Sequence, residues 1–215
     1  MKQIQPGIYK KNNKLYTETR DTEKVYGENI IKEEDTAYRA WNPNRSKAAA
    51  AVLNNLKLGI NKDDTVLYLG AASGTTVSHF SDILENGLIL AVEYSETVIR
   101  DLVKLAERRS NIAPQLADAR KPEEYEKYID KAKVVFQDIS QQDQAEIFLK
   151  NVEKYLAEDG VGLLSVKARS ISTADSKQQI FEEVRQKIEE KMEIVNETEL
   201  APYEKEHLMI KAEKK

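Results

Sequence analysis

The 215-residue sequence contains no cysteine, which excludes disulfide cross-links, thiolate metal sites and cysteine nucleophiles together. Histidine is almost as scarce. His79 and His207 are the only two, too few for a histidine-rich metal centre. No apolar run approaches the roughly 20 residues that span a bilayer. The start, Met1-Lys2-Gln3-Ile4-Gln5-Pro6, lacks the apolar stretch of a secretory signal. An intracellular protein without a membrane partner is expected. A basic excess is missing as well: 33 Lys+Arg stand against 37 Asp+Glu, a formal charge of −4. Proteins that grip nucleic acid unaided usually carry such an excess, because neutralising phosphates releases counterions. An acidic total still permits a local basic patch, but it implies that an RNA substrate is held with help from another component.

What is present suits one medium domain with a small appendage. Hydrophobic residues make up 40% and charged residues 33%, enough to bury a core beneath a solvated surface. Residues 1–39 read as a small β-rich N-terminal domain. Two β-prone runs flank the Asn12-Asn13 turn, and Val25, Tyr26, Ile30 and Ile31 follow. From 40 to 215 strand-like and helix-like segments alternate. A helix is expected from Ser46 to Leu58, closed by Gly59. Short apolar strands are expected at Val66–Leu69, Leu88–Val92, Pro114–Ala117, Val134–Phe136 and Val161–Val166. Ala145, Phe148, Leu149, Val152 and Leu156 give one helical face ending at Gly160, and Met192–Val195 with Leu208–Ile210 read as a closing antiparallel pair. This order predicts an α/β, doubly wound, Rossmann-like sheet of mostly parallel strands.

In such sheets ligands bind beyond the carboxyl ends of the strands, where strand order reverses. The loop there is Leu69-Gly70-Ala71-Ala72-Ser73-Gly74-Thr75-Thr76. Gly70 permits a tight turn and Gly74 a close backbone approach to a ligand. The Gly-x-x-x-Gly spacing departs from the Gly-x-Gly-x-x-Gly of dinucleotide sites, which disfavours a nicotinamide-dependent dehydrogenase. Glu93 ends the second strand, placed to accept from ribose hydroxyls, and Asp118 ends the third, placed to hold an adenine amino group. Each alone is an ordinary solvated carboxylate. Together they favour S-adenosylmethionine, which has the ribose and adenine but no pyrophosphate.

Five motifs carry a more specific resemblance. They are Tyr38-Arg39-Ala40-Trp41-Asn42-Pro43-Asn44-Arg45-Ser46-Lys47, the stretch from Val66 to His79, Asp118-Ala119-Arg120-Lys121-Pro122-Glu123-Glu124-Tyr125, Val166-Lys167-Ala168-Arg169-Ser170, and Pro202-Tyr203-Glu204-Lys205-Glu206-His207. In order and spacing the chain resembles the fibrillarin family in its archaeal form, along essentially its whole length. The resemblance implies an S-adenosyl-L-methionine-dependent methyltransferase acting on the ribose 2′-hydroxyl of pre-rRNA and tRNA. It implies as partners a box C/D guide RNA, a Nop-domain scaffold protein and a kink-turn-binding protein. Guide pairing would choose the nucleotide, which fits the acidic charge. The Gly/Arg-rich tail of eukaryotic relatives is missing, so an archaeal cytoplasmic protein is expected.

The resemblance also implies a catalytic set of Lys47, Asp138, Lys167 and His207. Lys167 is the choice for general base, since a ribose hydroxyl is a poor nucleophile until deprotonated and aligned. Cofactor contacts are expected from Gly70, Ala71, Ser73, Gly74, Thr75, Thr76, Glu93, Tyr94, Asp118, Ala119, Asp138 and Gln141. Arg39, Arg45, Arg120 and Arg169 are candidates for RNA phosphate contacts, whereas His79 is expected to be a packing residue. One position departs from the family pattern: Gln142 stands where a proline is usual, which bears on loop stiffness. Two rival readings remain at this level, a methyltransferase acting on protein glutamine and an assembly subunit without catalysis.

Overall fold

The computed structural model describes the whole chain, Met1–Lys215. Its first part is a five-stranded antiparallel sheet of β1 (Lys2–Gln5), β2 (Ile8–Lys11), β3 (Lys14–Glu18), β4 (Ile30–Glu33) and β5 (Thr36–Trp41), in the order β1-β2-β3-β5-β4. Asn12 and Asn13 both have positive φ, 49° and 60°. This is the type I′ geometry that matches the twist of a two-residue hairpin, as the Asn-Asn pair predicts. Val25 and Tyr26, expected to be strand-like, lie outside the strands. The backbone amides of both donate to the carboxylate of Glu28, a local bonding pattern that competes with a ladder.

The second part holds α1 (Lys47–Leu53), β6 (Thr65–Leu69), α2 (Thr75–Ile83), β7 (Leu88–Glu93), α3 (Ile99–Ala106), β8 (Ile112–Leu116), a 3₁₀ helix (Pro122–Tyr128), β9 (Ala132–Gln137), α4 (Gln144–Tyr155), β10 (Leu156–Lys167), α5 (Ala168–Ile171), α6 (Lys177–Glu189), β11 (Met192–Glu199) and β12 (His207–Lys214). The strand order is β11-β12-β10-β9-β6-β7-β8. All pairs from β8 through to β10 are parallel, and β12 runs antiparallel between β10 and β11. The chain leaves β6 outward to β7 and β8, then returns to add β9 and β10 on the other side. The switch point therefore falls between β6 and β9, where a ligand crevice is expected.

Side chains alternate across this sheet as period-two strands require. Val66 and Tyr68 face one core with α1, α2 and α3, while Leu67 and Leu69 face the other with α4 and α6. Two element ends differ from the sequence expectation. The first helix stops at Leu53 rather than Leu58, with Asn55 in the left-handed region at φ 70°, and Leu56 and Leu58 are buried in the extended stretch beyond. Leu156, read as helical, instead pairs with Ala132 and begins β10. The register then slips before Val161 pairs with Val134.

The appendage is not a separate body. β5 runs to Trp41, across the expected boundary at 39/40, and Ile8, Leu15 and Trp41 belong to the same core as α1 and α2. A buried charge cluster adds to this seam. Asp82 accepts from Thr17 and Thr19, each at 2.7 Å, from Arg39 Nε at 3.1 Å and from Arg109 Nη1 at 2.8 Å. Arg39 also pairs with Glu28, and Arg109 Nε donates to Asp21 at 3.0 Å. His79 sits beside this cluster, its two ring nitrogens 2.8 Å from Thr17 Oγ1 and Tyr26 Oη and its ring stacked on Trp41. It is a packing residue, as expected, and burial holds its pKa well below the ordinary histidine value.

Removing one member of a buried ion cluster strands the others in low dielectric, at a cost of about 3–5 kcal/mol. Asp82→Ala is expected to lose that much stability in urea or guanidinium unfolding. The melting temperature should fall by on the order of 10 °C for a chain of this size. A loss below about 1 kcal/mol would mean the cluster contributes no more than an exposed ion pair.

Candidate active site

The crevice at the switch point begins with a close approach. Asp138 N donates to Leu69 O at 2.9 Å. Gly70, at φ 81°, lies so near that an added Cβ would sit 2.4 Å from the carbonyl oxygen of Asp138. Only glycine meets both demands. Beyond it opens a cavity of about 280 Å3. Of the expected cofactor residues, Gly70, Glu93, Tyr94, Asp118, Ala119, Asp138 and Gln141 line its wall.

The rest of the expected cofactor set builds the loop rather than the wall. Ala71, Ser73, Gly74, Thr75 and Thr76 are not among the lining residues. Gly74 is required by packing: its φ is 94°, and a Cβ there would meet Leu105 Cδ2 at 2.8 Å. Thr76 points its hydroxyl away to Ser46 Oγ, 2.9 Å off. Ser46 is itself the N-cap of α1, accepting from Ala49 N at 3.3 Å. The cofactor loop and the helix that starts with Lys47 are thereby pinned together.

Two carboxylates in the wall are already held by the chain. Glu93 accepts from Ala72 N and Ser95 N, both at 2.8 Å, which leaves each oxygen a second acceptor site. Asp118 takes Arg120 Nε at 3.0 Å and Nη2 at 2.7 Å, and these guanidinium bonds keep its carboxyl below the usual range. Arg120 also lies over the exposed Tyr94 ring. It is thus part of the cavity wall, a role the phosphate-contact reading did not foresee.

On the rim, Lys47 Nζ and Asp138 Oδ2 are 3.1 Å apart. Burial raises the pKa of Asp138, against the opposing pull of Lys47 and then Lys167. Lys167 ends β10 and is the direct cross-strand partner of His207 on β12. His207 is driven down to about 4 by burial, then by the cations Lys47 and Lys167. Asp138 lines the cavity and Lys47 reaches it there, while Lys167 and His207, which do not line the cavity, pair with each other near enough for Lys47 and Lys167 to act on His207 and hold the imidazole neutral at physiological pH.

Gln144 is a residue that sequence reasoning missed. Wholly buried at the start of α4, it accepts from Lys167 N at 2.9 Å and donates to Gln141 O at 2.9 Å and Lys167 O at 3.3 Å. Gln137 Nε2 donates to its carbonyl at 2.6 Å. This stitch joins the Asp138–Gln141 loop to the end of β10. The only sequence signal was a glutamine at a buried helical position, which requires polar partners. Gln142, at the usual proline position, donates to Ile171 O at 3.2 Å, a tether that proline lacks.

The four arginines separate. Arg39 is 0% exposed and spent on Glu28 and Asp82, so it offers nothing to a phosphate and leaves the candidate set. Arg169 is exposed but paired with Glu206 at 2.9 Å. Arg45 is exposed over the Tyr26 ring.

His207 has a pH consequence. Its folded pKa near 4 lies below the ordinary 6.5, so the unfolded chain binds a proton that the folded chain refuses. Stability on this account is full above pH 6.5 and falls as pH drops toward 4. His207→Gln should show a smaller loss between pH 7 and 5 in denaturant titrations than the parent. An unchanged loss would show that His207 is not held neutral by the fold.

The fibrillarin family model matches residues 2–215. A Thermococcus sibiricus protein named fibrillarin-like rRNA/tRNA 2′-O-methyltransferase is 49% identical over 190 residues, 87% of this chain and 84% of its own. A chain from a fibrillarin/Nop5p complex superposes with a TM-score of 0.94 at 39% identity over 100% of both chains. Aeropyrum pernix fibrillarin, solved with natively bound S-adenosyl-L-methionine, gives a TM-score of 0.86 at 37% identity over 93% of this chain and 88% of its own. With family model, full-length structural neighbour and sequence relative all agreeing along the chain, this protein belongs to the fibrillarin family.

Proposed function

We propose that the protein transfers a methyl group from S-adenosyl-L-methionine to the ribose 2′-hydroxyl of guide-selected rRNA and tRNA nucleotides, as catalytic subunit of a box C/D particle with a Nop-domain scaffold and a kink-turn-binding protein. The observation that carries it is the Lys47–Asp138 ion pair at 3.1 Å on the lip of the cavity, with the Lys167–His207 cross-strand pair beside it. The cavity fits the cofactor at Glu93, which keeps acceptor sites for ribose hydroxyls, and at Ala119 in the wall, while Asp118 is engaged by Arg120 and would contribute through that pair. When bound, S-adenosyl-L-methionine supplies an electrophilic methyl group on a sulfonium. An archaeal cytoplasmic setting is supported by Thermococcus, Pyrococcus and Methanosarcina relatives, and no helix is long and apolar enough to cross a membrane.

The chain's own residues then do three things. Asp138 fixes the Lys47 ammonium, which orients the hydroxyl. Lys167 Nζ is the group that would take the hydroxyl proton. His207 stays neutral and so adds no charge beside the two lysines. Gln144 holds the Asp138 loop and Lys167 in register.

Label from S-adenosyl-L-methionine should enter a guided target bearing a 2′-hydroxyl and not its 2′-deoxy counterpart; equal labelling would place the methyl on a base. In the same particle Lys167→Ala should lower kcat by about 10²–10⁴-fold, the range for a lost general base, with cofactor affinity nearly intact. A parallel collapse in affinity would make Lys167 structural. Gln144→Leu should lower kcat by roughly 10-fold or more through misplacement of the rim while cofactor affinity holds. An unchanged kcat would remove its positioning role.

A further inference from the structure

Arg120 stands in the wall of the 280 Å3 cavity with a bonding pattern that methyl transfer leaves unexplained. Its backbone N–H donates to Asp118 Oδ1 at 2.9 Å, and its Nε donates to both carboxylate oxygens at 3.0 Å. Nη2 reaches Oδ2 at 2.7 Å. Glu124, on the 3₁₀ helix, fastens the same turn by accepting from Asp118 N at 3.0 Å. On its other side the guanidinium lies over the ring of Tyr94, 6.0 Å from the centre. Tyr94 directly follows β7 and Asp118 lies just beyond β8, so Arg120 straps two neighbouring strand ends across one cavity.

This bonding fixes the chemistry of Asp118 as well as its place. A carboxylate offers about four acceptor sites, and the three N–H groups of Arg120 leave room for one further donor. A protonated carboxyl would turn its O–H against those N–H groups, and the same bonds keep the Asp118 carboxyl ionised, below the usual range. An ionised carboxylate accepts and never donates. Asp118 is therefore open only to a partner that brings a hydrogen. The two common purines differ at this point: adenine carries an amino group at C6, whereas hypoxanthine carries a carbonyl oxygen.

We infer that Arg120 is a specificity-determining positioning residue, which holds Asp118 as a fixed acceptor so that the cavity takes an aminopurine nucleoside and rejects the oxopurine one. The inference rests on the S-adenosyl-L-methionine reading above and extends it to a residue that touches none of the reacting atoms. Asp118 is buried. A carbonyl set against it would place two acceptors face to face, each desolvated without a partner. Tyr94 steadies the half-exposed guanidinium through its ring face, which keeps the strap aligned on Asp118.

Titration calorimetry of the full-length chain tests this without any methyl transfer. The ligands are S-adenosylhomocysteine and S-inosylhomocysteine, which differ only along the six-membered edge of the purine. The wild-type chain should prefer the adenosine ligand by about 10- to 100-fold, the range for a hydrogen bond to a charged group. Arg120→Met and Arg120→Gln should each cut that ratio to about threefold or less. Asp118→Asn keeps an oxygen for Arg120 and offers an amide N–H to the purine, so its ratio should fall to about one or below. Equal weakening of both ligands in the Arg120 variants, with the ratio kept, would make Arg120 merely structural and overturn the inference. A wild-type ratio retained in Asp118→Asn would overturn it as well. A wild-type chain that binds both ligands equally refutes this inference alone, whereas one that binds neither refutes the cofactor reading along with it.

Discussion

The amide of Asp138 donates to the carbonyl of Leu69, and Gly70 turns away so tightly that no side chain fits between the two strand ends. The site depends on this approach of β6 and β9. It closes the floor of the cavity and raises the Asp138 carboxylate to where Lys47 meets it. A one-carbon intrusion at residue 70 would push β9 away, move Asp138 and open the cavity together. The cavity and the Lys47–Asp138 pair are thus coupled through backbone geometry.

Around that point, polar groups in buried positions do the positioning. Ser46 caps α1 while receiving the hydroxyl of Thr76, so the helix bearing Lys47 and the cofactor loop share one anchor. Gln144 does the same for the Asp138 loop and the end of β10. At the opposite end of α2, Asp82 ties the N-terminal sheet to the main domain through two threonines and two arginines. Buried polar groups are costly unless fully partnered, and each of these has partners from other elements. Their cost becomes specificity of arrangement.

The charge distribution follows the same economy. Many of the arginines near the site face inward or pair with acids: Arg39 and Arg109 in the seam, Arg120 on Asp118, Arg169 on Glu206. These arginines are therefore already engaged within the chain. A guided particle tolerates this, since base pairing and partner proteins can supply register and leave the enzyme to align one hydroxyl.

The sequence by itself determined the alternating strands and helices, the Asn12-Asn13 hairpin and the parallel core, while Lys47, Asp138, Lys167 and His207 came as a proposal from the family resemblance. The strands, helices and hairpin are written locally, in period-two and helical spacing and turn chemistry. The tertiary structure alone decided what long-range partners make of the remaining residues. Arg39 reads as a surface cation beside Trp41, yet it is buried against Asp82, 43 residues away. Gln144 reads as an ordinary helix start until Lys167, 23 residues on, is placed against it. Leu56 and Leu58 carry the helical hydrophobic pattern, but the left-handed Asn55 ends α1 and packing buries them in extended chain. Hydrophobic periodicity reports which face of an element is covered. It carries no information about which element covers it, and the partner of a buried charge or amide is a property of that juxtaposition.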